Sequence, residues 1–111
     1  LEDCYPKSQD QFADQEIAAE KAGFESISAA ITFSPEIFGT IVQYLDMAGV
    51  AAARLNGIET GTGVTCPILR YNPAIFSQSA ATVDRMSKGN FYLGVGTGEE
   101  TNEYPTTGLW L

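Results

Sequence analysis

Apolar residues recur at helical intervals in three stretches of the chain, and a short strand-like apolar run follows each stretch. The helical stretches are DQFADQEIAAEKA (10–22), PEIFGTIVQYLDMAGVAAARLN (35–56) and PAIFSQSAATVDRMSK (73–88). The runs that follow them are FESISAAITF (24–33), IETGTGVT (58–65) and NFYLGVGTG (90–98). A spacing of three or four residues brings side chains onto one face of a helix. The predicted inward positions are Ala13, Ile17 and Phe24 in the first stretch, Ile37, Ile41, Leu45, Ala48, Ala52 and Leu55 in the second, and Ile75, Ser79, Val83 and Met86 in the third.

The helix boundaries are marked by glycine and by proline. Gly23, Gly57 and Gly89 each come directly before a strand-like run, and glycine just past a helix adopts the left-handed conformation that ends it. Ser34-Pro35 and Asn72-Pro73 place a capping side chain before a proline, which is typical of a helix start. These signals agree with the periodicity.

Helices that alternate with strands predict an α/β fold with a parallel sheet. Right-handed crossovers then place the helices outside the strands. The glycine-rich strand ends fall at the carboxyl edge of the sheet, where α/β proteins keep their functional sites. NFYLGVGTG is therefore predicted to be a strand that ends in a loop at the functional edge.

The composition argues against several classes of partner and of catalytic site. The chain has 111 residues, a net charge of −8 and no histidine. The charge argues against nucleic acid and anionic membranes as partners, and the lack of histidine excludes histidine triads and histidine metal sites within the chain. We expect no metal. An acidic, lysine-poor chain fits a salt-rich cytoplasm and fits an ordinary acidic protein equally well.

The chain ends and the two cysteines give weaker indications about location and disulfide bonds. The start at Leu1 suggests a processed or truncated chain, and LEDCYPKSQDQ lacks the pattern of a secretory signal, which favours a cytoplasmic location. The sequence contains no run of 18 apolar residues, so it predicts no membrane-spanning helix. Cys4 and Cys66 could pair, but two cysteines are too few for a disulfide framework.

The stretch GVGTGEE (94–100) resembles a dinucleotide-binding fingerprint only loosely. The third glycine of GxGxxG is absent, and Glu99 and Glu100 stand where a phosphate needs positive charge. A glycine loop that lets a flat ring approach the backbone is the favoured interpretation.

Residues 61–108, GTGVTCPILRYNPAIFSQSAATVDRMSKGNFYLGVGTGEETNEYPTTG, resemble the coenzyme F420-dependent branch of the bacterial luciferase-like superfamily. The motifs that carry the resemblance are GTxVxxP, RYNPAI, QxxAT and GVGTGExxNE. The resemblance implies a (β/α)8 TIM barrel, of which this chain would hold about three βα units with parallel strands. Residues 1–111 would then form a single partial-barrel α/β domain.

The resemblance also implies roles for individual residues. Gly63-Val64 matches a strand-end bulge that carries a non-prolyl cis peptide behind the deazaflavin ring, and Glu99 matches the active-site carboxylate. The other positions implied to lie at the cofactor are Cys66, Gly96, Thr97, Gly98 and Asn102. Read without the resemblance, Glu99 is a solvated acid in a loop, Cys66 a small core filler, and Arg70-Tyr71 an anchor at a helix start.

The sequence departs from the family after GFESI. There the family has an aspartate-histidine pair and a tryptophan, whereas this chain reads SAAITFSPEIFG (28–39), and its only tryptophan is Trp110. Two hypotheses follow. The first is an F420-dependent oxidoreductase, or a fragment of one, that acts on a small alcohol- or sugar-like substrate, with FMN as the alternative cofactor. The second is a non-catalytic relic that serves as an oligomeric scaffold or binding module, because an open barrel leaves strand edges unpaired.

Overall fold

A computed structural model of the chain describes residues 9–29 and 44–109. The elements are α1 (Gln9–Lys21), β1 (Ser26–Ala29), α2 (Tyr44–Ala52), β2 (Glu59–Thr65), α3 (Pro73–Met86), β3 (Phe91–Val95) and α4 (Glu100–Thr107). Within this part, the three strands form one parallel sheet in the order β1-β2-β3. The predicted α/β alternation is confirmed.

The helix boundaries follow the predicted signals at Gly23, Gly89 and Asn72, but the prediction for the second helix was wrong, because α2 ends at Ala52, five residues before Gly57. Gly23 and Gly89 have φ angles of 89° and 88°, a conformation that side chains with a Cβ disfavour. The Oδ1 atom of Asn72 accepts a hydrogen bond from the backbone N–H of Ala74 at 2.9 Å, directly before α3. The predicted cap Ser34-Pro35 lies outside the described residues, as do Ile37 and Ile41.

The core lies between the helices and one face of the sheet. Its buried members are Phe12, Leu45, Met47, Ala48, Ala51, Ala52, Phe76 and Val83. On α3, Val83 is buried as predicted, but the prediction was wrong at the start of the helix, because Ile75 is 59% exposed whereas Phe76 is buried. Each step along a helix rotates the side chain by about 100°, and burying the Phe76 ring removes a large apolar area from water. Phe76 also stacks on Tyr71, with ring centroids 5.7 Å apart.

Two other predicted inward residues face solvent. Met86, at the last turn of α3, is 43% exposed, and Phe24 is 62% exposed. Phe24 follows the turn at Gly23, so it lies beyond the helical period of α1. Ala13 is buried as predicted, and Phe12 and Glu16 complete the inner face of α1.

Two carboxylates of α1 bind the segment that leads into β2. Glu16 is only 2% exposed, and both of its carboxylate oxygens accept from the Thr60 hydroxyl, at 3.2 and 3.3 Å. Burial raises the pKa of Glu16 to about 7, against the opposing effect of the Thr60 hydrogen bond. The carboxylate of Glu20 accepts from the backbone N–H groups of Asn56 and Ile58, at 2.8 and 3.2 Å. Charged side chains therefore hold α1 against the start of β2.

Replacing Thr65 with valine is expected to stabilise the protein. Thr65 is 5% exposed, and its hydroxyl oxygen has no hydrogen-bond partner among the described residues. Valine keeps the shape and the β-branching but removes the unpaired polar atom, so the free energy of unfolding should rise by about 1 kcal/mol in urea titrations.

Thr62 provides a matched control for this substitution. Its hydroxyl donates to the Gly94 carbonyl at 2.7 Å, and the side chain is 1% exposed. Thr62→Val should therefore lower the free energy of unfolding. Equal destabilisation by both substitutions would show that the Thr65 hydroxyl is paired.

Candidate functional site

The ends of β2 and β3 lie side by side at the carboxyl edge of the sheet. Thr65 is in register with Val95, and the backbone N–H of Gly96 donates to the Thr65 carbonyl at 2.9 Å. This arrangement agrees with the prediction that the glycine-rich strand ends share the carboxyl edge of the sheet. Glu99 follows three residues later, as the residue directly before α4.

The pairing of β2 with β3 is irregular around Gly63. The Gly63–Val64 peptide bond is cis, and the register with β3 shifts between Thr62 and Thr65. The predicted position of the cis peptide is confirmed. The extra residue in β2 forms a bulge, which re-aims side chains at the end of a strand.

The side chain of Val64 packs on the glycines of β3. A Cβ atom added to Gly96 would stand 2.8 Å from a Val64 methyl carbon, and one added to Gly94 would stand 3.2 Å from the other. A Cβ at Gly94 would also collide with the Thr62 carbonyl oxygen. Glycine at 94 and 96 is therefore required by the close approach of β2.

Glycine occupies two positions of β2 on the face of the sheet that points away from α1. Gly61 and Gly63 share this face because side chains alternate along a strand, and Thr60 on the opposite face contacts α1. The Tyr92 ring covers Gly61, and its hydroxyl donates to the Ile27 carbonyl at 2.9 Å. We call Ser28, Gly61, Gly63 and Tyr92 the glycine face.

The backbone of the glycine face is accessible at Gly63. Gly63 is exposed, and a Cβ atom built there would come 3.1 Å from the Ser28 hydroxyl oxygen. Any side chain at this position would fill the space that a ring needs to lie against the backbone. The Tyr92 ring covers the neighbouring Gly61, so the accessible backbone on this side ends at Gly63.

The remaining predicted site residues lie around this edge. Cys66 has a free thiol and is partly buried, with its sulfur 3.4 Å from the position of a Cβ on Gly96. Thr97 is exposed, and Gly98 has a φ of 89°. The side chain of Asn102, in α4, lies outside the described residues. The structure thus brings Cys66 and Gly96 together with the bulge.

The two acidic residues after β3 differ in their setting. Glu99 is exposed and extended in the loop before α4, as its interpretation as a solvated loop acid predicts, whereas Glu100 is the first residue of α4. Within the described ranges, no group of three or more histidine, cysteine, aspartate or glutamate side chains is arranged to hold a metal ion.

Tyr71 behaves as an anchor at the start of α3. It packs against the core and stacks on Phe76. Burial raises the pKa of its phenol, Arg70 lowers it and Asp46 raises it. Its hydroxyl is therefore neutral at physiological pH, which agrees with the interpretation of Arg70-Tyr71 as helix-entry packing.

The sequence did not predict that Ser28 and Tyr92 lie on the glycine face, or that Glu16 is buried against Thr60. The alternation Ser26-Ile27-Ser28 was a usable signal, since it places both serines on one face of β1. The segment that replaces the family's aspartate-histidine pair and tryptophan includes residues 30–39, which lie outside the described residues together with Cys4 and Trp110.

Comparison with known proteins supports the resemblance over nearly the whole chain. The family profile described as luciferase-like monooxygenase matches residues 5–109. An F420-dependent glucose-6-phosphate dehydrogenase of Segniliparus rotundus is 38% identical over an alignment of 106 residues, and the match covers 89% of this chain and 32% of that protein. The chain spans about a third of the length of the curated relatives it matches.

Solved structures support the fold. An F420-dependent secondary alcohol dehydrogenase, in complex with an F420-acetone adduct, has a TM-score of 0.81 and 36% identity, and the match covers 96% of this chain and 33% of that one. The oxygenating constituent of a Pseudomonas putida Baeyer-Villiger monooxygenase, in complex with FMN, has a TM-score of 0.78 at 17% identity, covering 91% and 27%. The second likeness shows the fold alone. The predicted partial (β/α)8 barrel is confirmed.

Proposed function

The chain belongs to the luciferase-like monooxygenase family, and on this premise we propose that it forms the cofactor-binding part of an F420-dependent oxidoreductase. Residues 1–111 would be one partial-barrel unit of that enzyme. F420, when bound, would supply the hydride-exchanging carbon for an alcohol- or sugar-like substrate. The observation that carries the proposal is the bare backbone at Gly63, beside the bulge in β2 and the glycines of β3.

Each residue at the edge has a role in this proposal. The Gly63-Val64 backbone supports one face of the ring, and Cys66 and Gly96 line the neighbouring strand end. Thr97, Gly98 and Asn102 complete the binding site. Glu99 exchanges a proton with the substrate oxygen, because alcohol oxidation releases a proton from the hydroxyl as the hydride leaves the carbon.

F420 is favoured over FMN as the cofactor of this site. The F420-dependent dehydrogenases described above are 36–38% identical to this chain, whereas the FMN-bound structure is 17% identical. The choice is open to direct measurement, since both cofactors absorb visible light.

Titration with oxidised F420 tests the proposal. We expect a saturable change in the absorbance and fluorescence of the cofactor, and a weaker response from FMN in a parallel titration. Gly63→Ala is the matched control, because its Cβ atom would fill the space over the backbone at Gly63 and would meet only the Ser28 side chain, 3.1 Å from the hydroxyl oxygen. It should abolish the response while the far-UV circular dichroism stays native. No spectral change at high F420 concentration would contradict the proposal.

The scaffold hypothesis is not favoured, since the similar proteins described above are dehydrogenases. Homo-oligomerisation, or pairing with the rest of a barrel, stays a prediction that the mass in solution would test. In residues 9–29 and 44–109, no helix combines the length and apolar character needed to cross a bilayer. A cytoplasmic location, and the lack of nucleic-acid and membrane partners, stay predictions from the charge.

A further inference from the structure

The hydroxyl of Ser28 lies next to the proposed ring platform. Ser28 is exposed on β1, and its hydroxyl makes no hydrogen bond with any residue that the structure describes. We propose that Ser28 is a cofactor-binding residue, whose hydroxyl hydrogen-bonds the polar edge of the ring that lies over Gly63. This inference rests on the proposed function and adds a residue to its site.

The position of Ser28 follows from the register of the sheet. Ser28 is paired with Gly61, two residues before Gly63. Its hydroxyl oxygen is 3.1 Å, and its Cβ 3.2 Å, from the point where a Gly63 Cβ would stand. A group that occupies the space over Gly63 therefore comes within hydrogen-bond distance of this hydroxyl.

Tyr92 limits where a ring can lie on the glycine face. Its ring occupies the space over Gly61, and its hydroxyl is held by the Ile27 carbonyl at 2.9 Å. A ring on Gly63 therefore cannot move along the strands over Gly61. Neighbouring strands are only about 4.8 Å apart, less than the length of a three-ring system. A ring that extends from Gly63 towards β1 thus meets Ser28.

The chemistry of the ring suits a serine. One edge of a deazaflavin is a pyrimidinedione, in which carbonyl acceptors alternate with an N–H donor. A serine hydroxyl both donates and accepts and rotates to suit its partner. It can therefore pair with either kind of group on that edge.

The test compares the dissociation constant of F420 in the wild type, Ser28→Ala and Ser28→Thr. Loss of one neutral hydrogen bond should weaken binding about five-fold in Ser28→Ala. Ser28→Thr keeps the hydroxyl and should bind within about two-fold of the wild type. Ser77→Ala removes an exposed serine hydroxyl from α3 and should leave the affinity unchanged.

The outcomes separate this inference from the proposed function. A wild type that binds F420 while Ser28→Ala binds equally well would overturn the role of Ser28 and leave the proposed function standing. Equal weakening by Ser28→Ala and Ser28→Thr would indicate a loss of fit rather than of a hydrogen bond, and would also overturn it. A wild type without any spectral response would contradict the proposed function itself, and the role of Ser28 with it.

Discussion

Glu16→Gln is expected to remove most of the loss of stability that the protein undergoes between pH 4.5 and pH 7. Burial raises the pKa of Glu16 from 4.5 to about 7, so the folded state holds this proton more tightly than the unfolded chain. The resulting contribution to stability is complete below pH 4.5 and is lost as the pH rises through 7. A shift of this size corresponds to about 3 kcal/mol. Glutamine stays neutral and can still accept from Thr60.

The measurement is the free energy of unfolding in urea at a series of pH values. The wild type should lose stability from pH 4.5 to pH 7, whereas Glu16→Gln should show a nearly flat profile and exceed the wild type above pH 7. Asp14→Asn is the control, because Asp14 is an exposed acid on the same helix and should keep the wild-type slope. An unchanged slope in Glu16→Gln would mean that Glu16 titrates normally in the folded protein.

Glu99→Gln is expected to lower hydride transfer at least about 100-fold, while the affinity for F420 stays within a few-fold of the wild type. General acid–base catalysis contributes about 10²- to 10⁴-fold, and glutamine cannot exchange a proton with the substrate oxygen. The rate is followed by the absorbance of F420 as it is reduced, with glucose 6-phosphate and 2-propanol as alternative hydride donors.

Glu100→Gln is the matched control for this experiment. Glu100 is the next residue and is also exposed, but it begins α4 and has no role in the proposed chemistry. It should keep the wild-type rate. An equal rate in Glu99→Gln and the wild type would remove the catalytic assignment. A wild type that binds F420 without turnover would contradict the expectation that residues 1–111 catalyse hydride transfer by themselves.

The sheet and the position of the site could be predicted from sequence because their signals are local. A glycine after each helix and a strand-like run after each glycine determine the βα order. Parallel order then places the ends of β2 and β3 at one edge. The cis peptide at Gly63 was predictable only from the resemblance of its motif to the family, because a rare backbone state leaves no signal in the periodicity of the sequence.

The burial of particular side chains could not be predicted in the same way. Glu16 lies 44 residues from its partner Thr60, and a periodicity argument assigns a charged residue to the solvent face. Ile75 and Phe76 are adjacent and both apolar, so the pattern alone does not choose between two orientations of α3. Helix α4 has the sequence ETNEYPTT, with Pro105 inside it, and neither its polarity nor its proline predicts a helix.

The contact of Val64 with β3 has a consequence for how this edge can vary. The two methyl groups of Val64 occupy the room left by the missing side chains at 94 and 96. Residues 64 and 96 are therefore interdependent: a bulkier side chain on one strand demands a smaller one on the other. Redesign of the edge to admit a different ring has to change both strands together.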